Sequence, residues 1–497
     1  MNYLDHNMPK AMIIKKIFAA SVFLSVLVFS SCSKFLEESS QDLEIPKTVK
    51  DYKELIFGEA YMRDDKFVAQ YLDIMTDDVT SFYGKPKVFK NDTREHGYGY
   101  YTWQQQPEYG MSSTRYDDGA WLLFYNHILT CNIVLNDMDK IIGQENEKQL
   151  LIGECNLIRA YSYFMLVNLF ADVYDKSNAG SMLGVPLNNL TYIDDVRYTR
   201  ATVEETYREI TSNLESGIEN FEKTSIKNSI FRWNTKAAYL FASRVYLYMQ
   251  EYEKTIEYAT KLIQMSPALY DLNIKYKNDL ETPFLNQRNP EILYTYGYYS
   301  NSYFAYAANG CFPASESLKK VYGKGDLRFD RKTGAFLRER GGFFGKQYTH
   351  FKNDGSNITK VYGYALRVAE AYLNRAEAYI MMNQVDKAMA DINFLRSFRI
   401  SKEQYKPLQA SSKEEALNIL KDESRRELCY ENLRWFNLRR WGKPEITHVF
   451  MNEYEPLTTT TWVLKEKDAA YVLPIPVYVL NSQDMISNDR PERKAIE

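Results

Sequence analysis

Asn234-Thr235-Lys236-Ala237-Ala238-Tyr239-Leu240-Phe241-Ala242-Ser243-Arg244-Val245-Tyr246-Leu247-Tyr248-Met249 decides how this chain folds. Ala237, Ala238, Phe241, Ala242, Val245 and Tyr246 recur at the three- and four-residue steps of an α-helix, so they make one apolar face. A turn near Gln250 and Glu251 follows, then a second helical pattern carrying Ile256, Ala259 and Ile263. The same grammar returns in Leu366 to Met382 and Val385 to Phe398. Ser243, Tyr246, Thr255 and Ala259 of the first pair are spaced as Ala376, Tyr379, Ala388 and Ile392 of the second. Small residues let two helices approach closely, and the tyrosine fills the groove left beside them.

Small, aromatic, small at this spacing is the contact code of tetratricopeptide helix pairs, and its recurrence predicts a helical-repeat scaffold. Gly153 to Val167 adds another packed helix, with apolar groups at i, i+3, i+4 and i+7. The expected fold is therefore all-α: a tetratricopeptide-like scaffold over about 45–265 and 364–442, with a large irregular insert and minor β-hairpins. The insert, about 267–363, is rich in Gly, Tyr, Asn and Pro, with turn signals at Asn289-Pro290, Gly323-Lys324-Gly325-Asp326, Gly341-Gly342 and Asn353-Asp354-Gly355-Ser356-Asn357. Ser81 to Ser113 reads as similarly irregular, because Gly84, Lys85-Pro86-Lys87, Gly97 and Gly99 interrupt any period. Long irregular segments inside a compact domain are usually functional. The C-terminal part, 443–497, is expected to be irregular, with Tyr471-Val472-Leu473-Pro474-Ile475-Pro476 held extended by its prolines.

At the other end, Lys15 and Lys16 precede an apolar run from Ile17 to Phe29, then Ser30-Ser31-Cys32. The run is shorter than the ~20 apolar residues of a membrane span, and a leader cleaved before Cys32, with acyl chains added to that thiol, fits it better. Residues 1–31 are thus expected to be a lipoprotein signal peptide and 32–497 a single domain. The formal charge is −3, and the leader, with Lys10, Lys15 and Lys16 against Asp5, takes away +2, leaving −5. Such a chain lacks the basic face that nucleic acid requires. Cys131, Cys155, Cys311 and Cys429 are scattered without metal spacing, and Cys131 and Cys155 fall within helical patterns as small buried apolar residues. The 41 tyrosines suggest a binding surface as well as a core, since each offers a flat face and a polar tip.

Cys32-Ser33-Lys34-Phe35-Leu36-Glu37-Glu38 resembles the lipidated start of the SusD/RagB family of surface lipoproteins. Further stretches are similar to that family's motifs: Trp121 to Asn132 (W-L-L-F-Y-N-H-I-L-T-C-N), Gly153-Glu154 through Asn168-Leu169-Phe170, Gly184-Val185-Pro186-Leu187, Arg367 to Ala378, Arg425 to Trp441, and Leu473-Pro474-Ile475-Pro476 with Asn488. Asn437, Cys155 and Ala171 depart from the family's usual Asp, Ala and Gly. Read from its residues alone, the Arg425 to Trp441 stretch is a helix with a structural purpose. Glu423 with Arg426, and Glu431 with Arg434, stand at i+3 spacing for charge pairing, while Leu428, Trp435 and Leu438 pack.

The resemblance implies a binding protein, not an enzyme, lipid-anchored in the outer membrane and facing the cell surface. It would hold an oligosaccharide, or in some branches a peptide, over a SusC-like TonB-dependent transporter, without a cofactor. Sugar capture needs aromatic faces for the pyranose C–H surface and polar groups for its hydroxyls. His96, Tyr98, Tyr100, Tyr101, Trp103 and Tyr109 supply one such stretch, and Tyr294, Tyr296, Tyr298, Tyr299, Tyr303, Phe304 and Tyr306 another. The candidate ligand contacts are Trp103, Tyr296, Tyr101, Tyr100, Tyr298 and Tyr299, although any single tyrosine can equally be core. Asp77, Asp78 and Arg94 are candidates for the hydroxyls, and Asp77-Asp78 can equally cap a helix. Competing chemistry is thin. Ser317-Leu318-Lys319-Lys320 fits S-x-x-K without its partner motifs, G-x-S-x-G, a P-loop and H-E-x-x-H are absent from the sequence, and Asn353 to Asn357 lacks the downstream Glu of a calcium loop. A glycoside hydrolase would require two carboxylates about 5 to 10 Å apart across a cleft.

Overall fold

The computed structural model describes residues 46–62, 69–82, 92–116, 119–193, 197–265, 268–274, 282–286, 288–295, 312–340, 347–350, 362, 364–454, 456–483 and 485–496. The leader with Cys32, the aromatic residues Tyr296, Tyr298, Tyr299, Tyr303, Phe304 and Tyr306, the 353–357 turn and Cys311 lie outside the described residues. Thr48 to Glu497 forms one unit. Its helices are α1 (Val49–Glu59), α2 (Asp92–Tyr101), α3 (Ala120–Asn136), α4 (Glu145–Phe170), α5 (Val203–Lys223), α6 (Thr235–Tyr248), α7 (Tyr252–Met265), the short α8 (Glu316–Lys320), α9 (Val368–Met381), α10 (Val385–Ser397), α11 (Lys413–Leu428), α12 (Arg434–Arg440) and α13 (Val477–Ser482).

Side-chain caps fix where several of these begin. The Thr48 hydroxyl accepts from Asp51 N and the Asp51 carboxylate accepts from Thr48 N, closing a capping box on α1. Thr202 and Glu205 do the same for α5, while Asn234 and Ser412 accept from Ala237 N and Glu415 N to start α6 and α11. The long α4 is apolar enough over 18 residues to cross a membrane by length and composition, yet it is buried between α3 and α5 and is the central rod of the core.

The two helix pairs read from the sequence are α6–α7 and α9–α10, and they match beyond the packing residues. Ser243, Thr255, Ala259, Ala376, Ala388 and Ile392 are all fully buried where their helices meet. Each pair also turns through a residue in the left-handed region, Gln250 at φ 60° and Asn383 at φ 60°. Around them Glu251 N donates to Tyr246 O (2.8 Å) and Gln384 N to Tyr379 O (2.8 Å), the closing bond of a Schellman turn in both. The pairs are distant in sequence but adjacent in space: α9 packs on both α6 and α7 as well as on α10 and α11. Arg244 of α6 forms a buried bidentate ion pair with Glu370 of α9 (2.6 and 2.6 Å), and Asn374 Nδ2 donates to Ser243 Oγ (3.1 Å).

Three two-stranded antiparallel sheets complete the fold. β1 (Ile292–Thr295) pairs with β4 (Ala365–Arg367), so both ends of the insert meet at the scaffold. β2 (Leu337–Arg340) pairs with β3 (Gln347–His350) as a hairpin within the insert. β5 (Ile446–Tyr454) and β6 (Leu457–Leu464) form a second hairpin in the C-terminal part.

Three sequence expectations are corrected. The C-terminal part is not wholly irregular, because alternating residues from Ile446 to Leu464 form the β5–β6 hairpin and bury Ile446, His448, Phe450, Trp462 and Leu464. The 81–113 stretch contains a helix, α2, in which Gly97 and Gly99 mark close approach. A Cβ on Gly99 would sit 2.4 Å from Pro107 O, and one on Gly97 would sit 2.6 Å from the Phe312 ring. Arg425 to Trp441 is two helices, not one, broken at Tyr430 (φ 58°) and Asn432 (φ 60°). Arg426 does pair with Glu423 (2.9 Å), but the break sends Glu431 to Arg367 (2.6 Å) and Arg434 to Asp77 (2.8 Å). Cys131, Cys155 and Cys429 are buried free thiols.

Candidate functional site

The first aromatic stretch turns inward. Trp103 is fully buried, its indole Nε1 donates to Met75 O (3.0 Å), and its face lies on the His448 ring (centroids 4.2 Å apart, 22° between planes). His448 stacks in turn on Tyr101 (4.0 Å, 14°), giving a closed three-ring pile. The His448 nitrogens face Tyr101 O (2.8 Å) and Thr76 O (2.9 Å), and burial lowers its pKa to about 4 against the pull of both carbonyls. The Tyr101 hydroxyl accepts from Ser81 N (2.8 Å) and donates to Val449 O (3.1 Å), and burial pushes its pKa up. Tyr100 stacks on Tyr71 at 4.1 Å.

Trp103, Tyr100 and Tyr101 are thus core residues with no face left for a ligand, a correction to the sequence expectation. The physical reason for Tyr101 and Trp103 is the β5–β6 hairpin, which brings His448 and Phe450 against them, and for Tyr100 it is the Tyr71 ring. Tyr98, half-buried, meets Phe450 and Trp462 edge-on, and His96 and Tyr109 are also half-buried. Tyr294, at the start of the second stretch, stacks on Trp233 (4.8 Å, 17°) and is core as well.

The polar candidates are likewise committed within the protein. Arg94 is buried beside Phe450 (4.9 Å to the ring centroid) and donates to Met451 O and Asn452 O. Asp77 holds Arg434 in a two-pronged pair (2.9 and 2.8 Å) and lies 3.2 Å from Arg425, while Asp78 bonds Arg425 Nε at 2.7 Å. Burial acts to raise the Asp77 pKa, and Arg434 and Arg425 outweigh it to hold the carboxyl below its usual range. For Asp78 burial, helped by the Asp77 charge, wins and the pKa rises. These acids clamp the 76–80 segment to α11 and α12, Asp78 fully buried and the Asp77 side chain 26% exposed beside its two arginines. Ser317 Oγ, of the S-x-x-K match, donates to Asp77 O and accepts from Arg425. Among the described residues, no group of three or more His, Cys, Asp or Glu is placed to hold a metal ion.

What the geometry does show is where the two irregular stretches are rooted. Thr80 N donates to Pro313 O (2.9 Å), Ser315 N donates to Asp78 O (2.8 Å), and Val79 bridges Ala314. Ser81 Oγ accepts from Met451 N of β5 (3.2 Å). Residues 78–80 and 313–315 therefore run side by side, and Ser81 is braced by the hairpin.

A second aromatic surface was passed over in the sequence. Trp121 and Tyr125, one helical turn apart on α3, have ring centroids 5.1 Å apart and line a hollow of about 240 Å³ with Tyr198 of the 184–200 segment and Tyr478 of α13. The signal was the i, i+4 spacing of Trp121 and Tyr125 on a helix whose neighbour Leu122 is 56% exposed.

The structure is a mostly helical repeat scaffold that carries an aromatic surface hollow. Comparison with known proteins agrees. Family models described as "Starch-binding associating with outer membrane" and "SusD family" match residues 34–247 and 243–490. The chain belongs to the SusD/RagB family. SusD-like protein P2 of Formosa agariphila is 25% identical over 374 residues, 64% of this chain and 70% of that protein. A putative sugar binding protein from Bacteroides vulgatus superposes with a TM-score of 0.70 at 24% identity, covering 90% of this chain and 99% of that one. A SusD-like carbohydrate binding protein from the same species gives 0.66 at 18% identity, covering 88% and 97%. These likenesses establish the fold.

Proposed function

We propose that this protein is a surface-exposed lipoprotein that captures an oligosaccharide and delivers it to a SusC-like TonB-dependent outer-membrane transporter. The observation that carries the reading is the pair of family-model matches, which together run from residue 34 to 490 and include the one described as starch-binding in association with the outer membrane. The Lys15-Lys16, apolar run and Cys32 of the N-terminus support a lipid tether, with residues 32–497 as one domain on it. The sugar-binding names borne by two structural neighbours support the ligand class. Binding, not bond cleavage, is the activity, and neither a cofactor nor nucleic acid takes part in it.

With Trp103, Tyr100 and Tyr101 in the core, the candidate contacts that remain are Tyr296, Tyr298 and Tyr299. They follow Thr295, where the chain is held to the scaffold by a bond from its N to Ile230 O (2.9 Å) and by its pairing with Ala365. Calorimetry with a panel of neutral oligosaccharides, peptides of equal length and no other nutrient tests the reading. Heat from at least one oligosaccharide, with no reducing ends released on incubation, is the expected outcome. Heat from peptides alone would transfer the protein to a peptide-capturing role, and release of reducing ends would make it a hydrolase.

A further inference from the structure

We infer that the hollow between α3, the residues Pro186, Asn188 and Tyr198, and α13 is a second binding site, one that takes a single uncharged pyranose ring. Its walls are rings: Trp121, Tyr125, Tyr198 and Tyr478 all line it. Aromatic faces of this kind cover the C–H surface of a sugar, while polar groups at fixed positions read its hydroxyls. Two such groups are present, Asn188 and Gln483. Asn188 Oδ1 accepts from Leu190 N (2.9 Å), and Gln483 Oε1 accepts from Tyr198 N (2.8 Å). A backbone N–H can only donate, so the oxygen end of each amide is assigned by its partner and the NH₂ end is the one left to a ligand. A ring of hydroxyls offers acceptors to both amides, which an aromatic or aliphatic side chain does not.

The site is also pre-formed. Arg200 stitches its walls together with five hydrogen bonds: Nε to Gly184 O (2.7 Å), one terminal nitrogen to Ile486 O (3.1 Å) and Asn488 Oδ1 (2.8 Å), the other to Phe170 O (3.0 Å) and Leu183 O (3.0 Å). All five guanidinium donors are spent, which ties Arg200 to Leu183 and Gly184 and to the C-terminal residues Ile486 and Asn488 before any ligand arrives. The Tyr125 hydroxyl is likewise used on Pro186 O (2.8 Å). At about 240 Å³ the hollow is smaller than the ~300–1,000 Å³ pockets that enclose drug-sized ligands, so it accepts one ring and leaves the rest of a chain outside. Among the described residues lining it there is no charged side chain, which selects a neutral sugar.

This inference rests on the oligosaccharide reading but is argued from other residues than Tyr296, Tyr298 and Tyr299. Two exposed rim residues allow it to be plugged without touching the core: Ser482→Trp on α13 and Leu122→Trp on α3. Saturation-transfer NMR on the full chain in detergent, with methyl α-glucopyranoside, methyl α-mannopyranoside and methyl β-galactopyranoside as probes, is expected to detect at least one. Each plug should weaken that binding by roughly tenfold or more, with unchanged melting temperature. Binding that survives both plugs but falls in Tyr296→Ala would overturn the second site and leave the proposed function standing. No signal from any pyranoside, together with no heat from any oligosaccharide, would overturn both.

Discussion

Replacing Glu427 by Gln removes one negative charge from a closed set of buried ions. Its carboxylate accepts from Arg328 (3.0 Å), Arg367 (2.9 Å) and both edges of Arg399 (2.9 and 2.9 Å), and all four residues are fully buried. The set extends through Glu291, Asp326, Glu423 and Glu431 to Arg396 and Arg426, so five carboxylates face five guanidinium groups. Gln keeps the volume but leaves one guanidinium charge uncompensated in the interior, and breaking a buried pair this way costs about 3–5 kcal/mol. With an unfolding entropy of ~2.1 cal/mol/K per residue over the roughly 450 residues of Thr48–Glu497, that corresponds to a melting point lower by about 3–5 °C. The pH dependence carries a second signature. Burial acts to raise the Glu427 and Glu423 pKa values, and the arginines overcome it and hold both below the usual carboxylate range. Their stabilisation is therefore complete above the unfolded value of ~4.3 and is lost as pH falls through the lower folded values. Calorimetry of the two proteins at neutral pH, with urea titrations stepped downward from pH 5, reads both effects. The Gln variant should be less stable at neutral pH and lose less on acidification. A variant as stable as the wild type at neutral pH would refute the reasoning.

Trp103→Ala should destabilise by about 3–5 kcal/mol, since it empties a fully buried site and uncovers the His448 ring; an unchanged urea midpoint would show the ring to be dispensable to the core. Tyr296→Ala should weaken oligosaccharide binding severalfold and leave the melting temperature alone, as followed by calorimetry and thermal unfolding; intact affinity would take this tyrosine out of the binding surface. For Cys32→Ala the expected result is loss of metabolic fatty-acid labelling and of sedimentation with membranes, and a labelled, membrane-bound variant would defeat the tether.

The repeat pairs were legible because their signal is local: small residues and a tyrosine at fixed helical spacing carry the same meaning wherever they occur. Even the left-handed turns at Gln250 and Asn383 fall at equivalent positions, although neither is a glycine. The aromatic site was less legible because exposure is not a local property. Tyr100, Tyr101 and Trp103 sit in a stretch broken by glycines; Tyr100 is covered by Tyr71, and the rings that cover Tyr101 and Trp103, His448 and Phe450, lie about 350 positions away. Gly97 and Gly99 misled for the same reason, their close neighbours Phe312 and Pro107 being invisible to a reading of adjacent residues. Asp77 and Asp78 looked like free carboxylates only while Arg425 and Arg434 were unplaced. The family motifs, by contrast, survive because many of them are the buried ions themselves, Arg367, Glu427 and Glu431 among them.

The ion set draws its members from residues 291 to 431, and its arginines at 328, 367 and 399 all wait on Glu427. A nascent chain that ends before Glu423 can pair Arg328 only with Asp326, and Arg367 and Arg399 only with Glu291, so three cations face two anions. Final locking of the scaffold is thereby postponed until nearly the whole polypeptide exists.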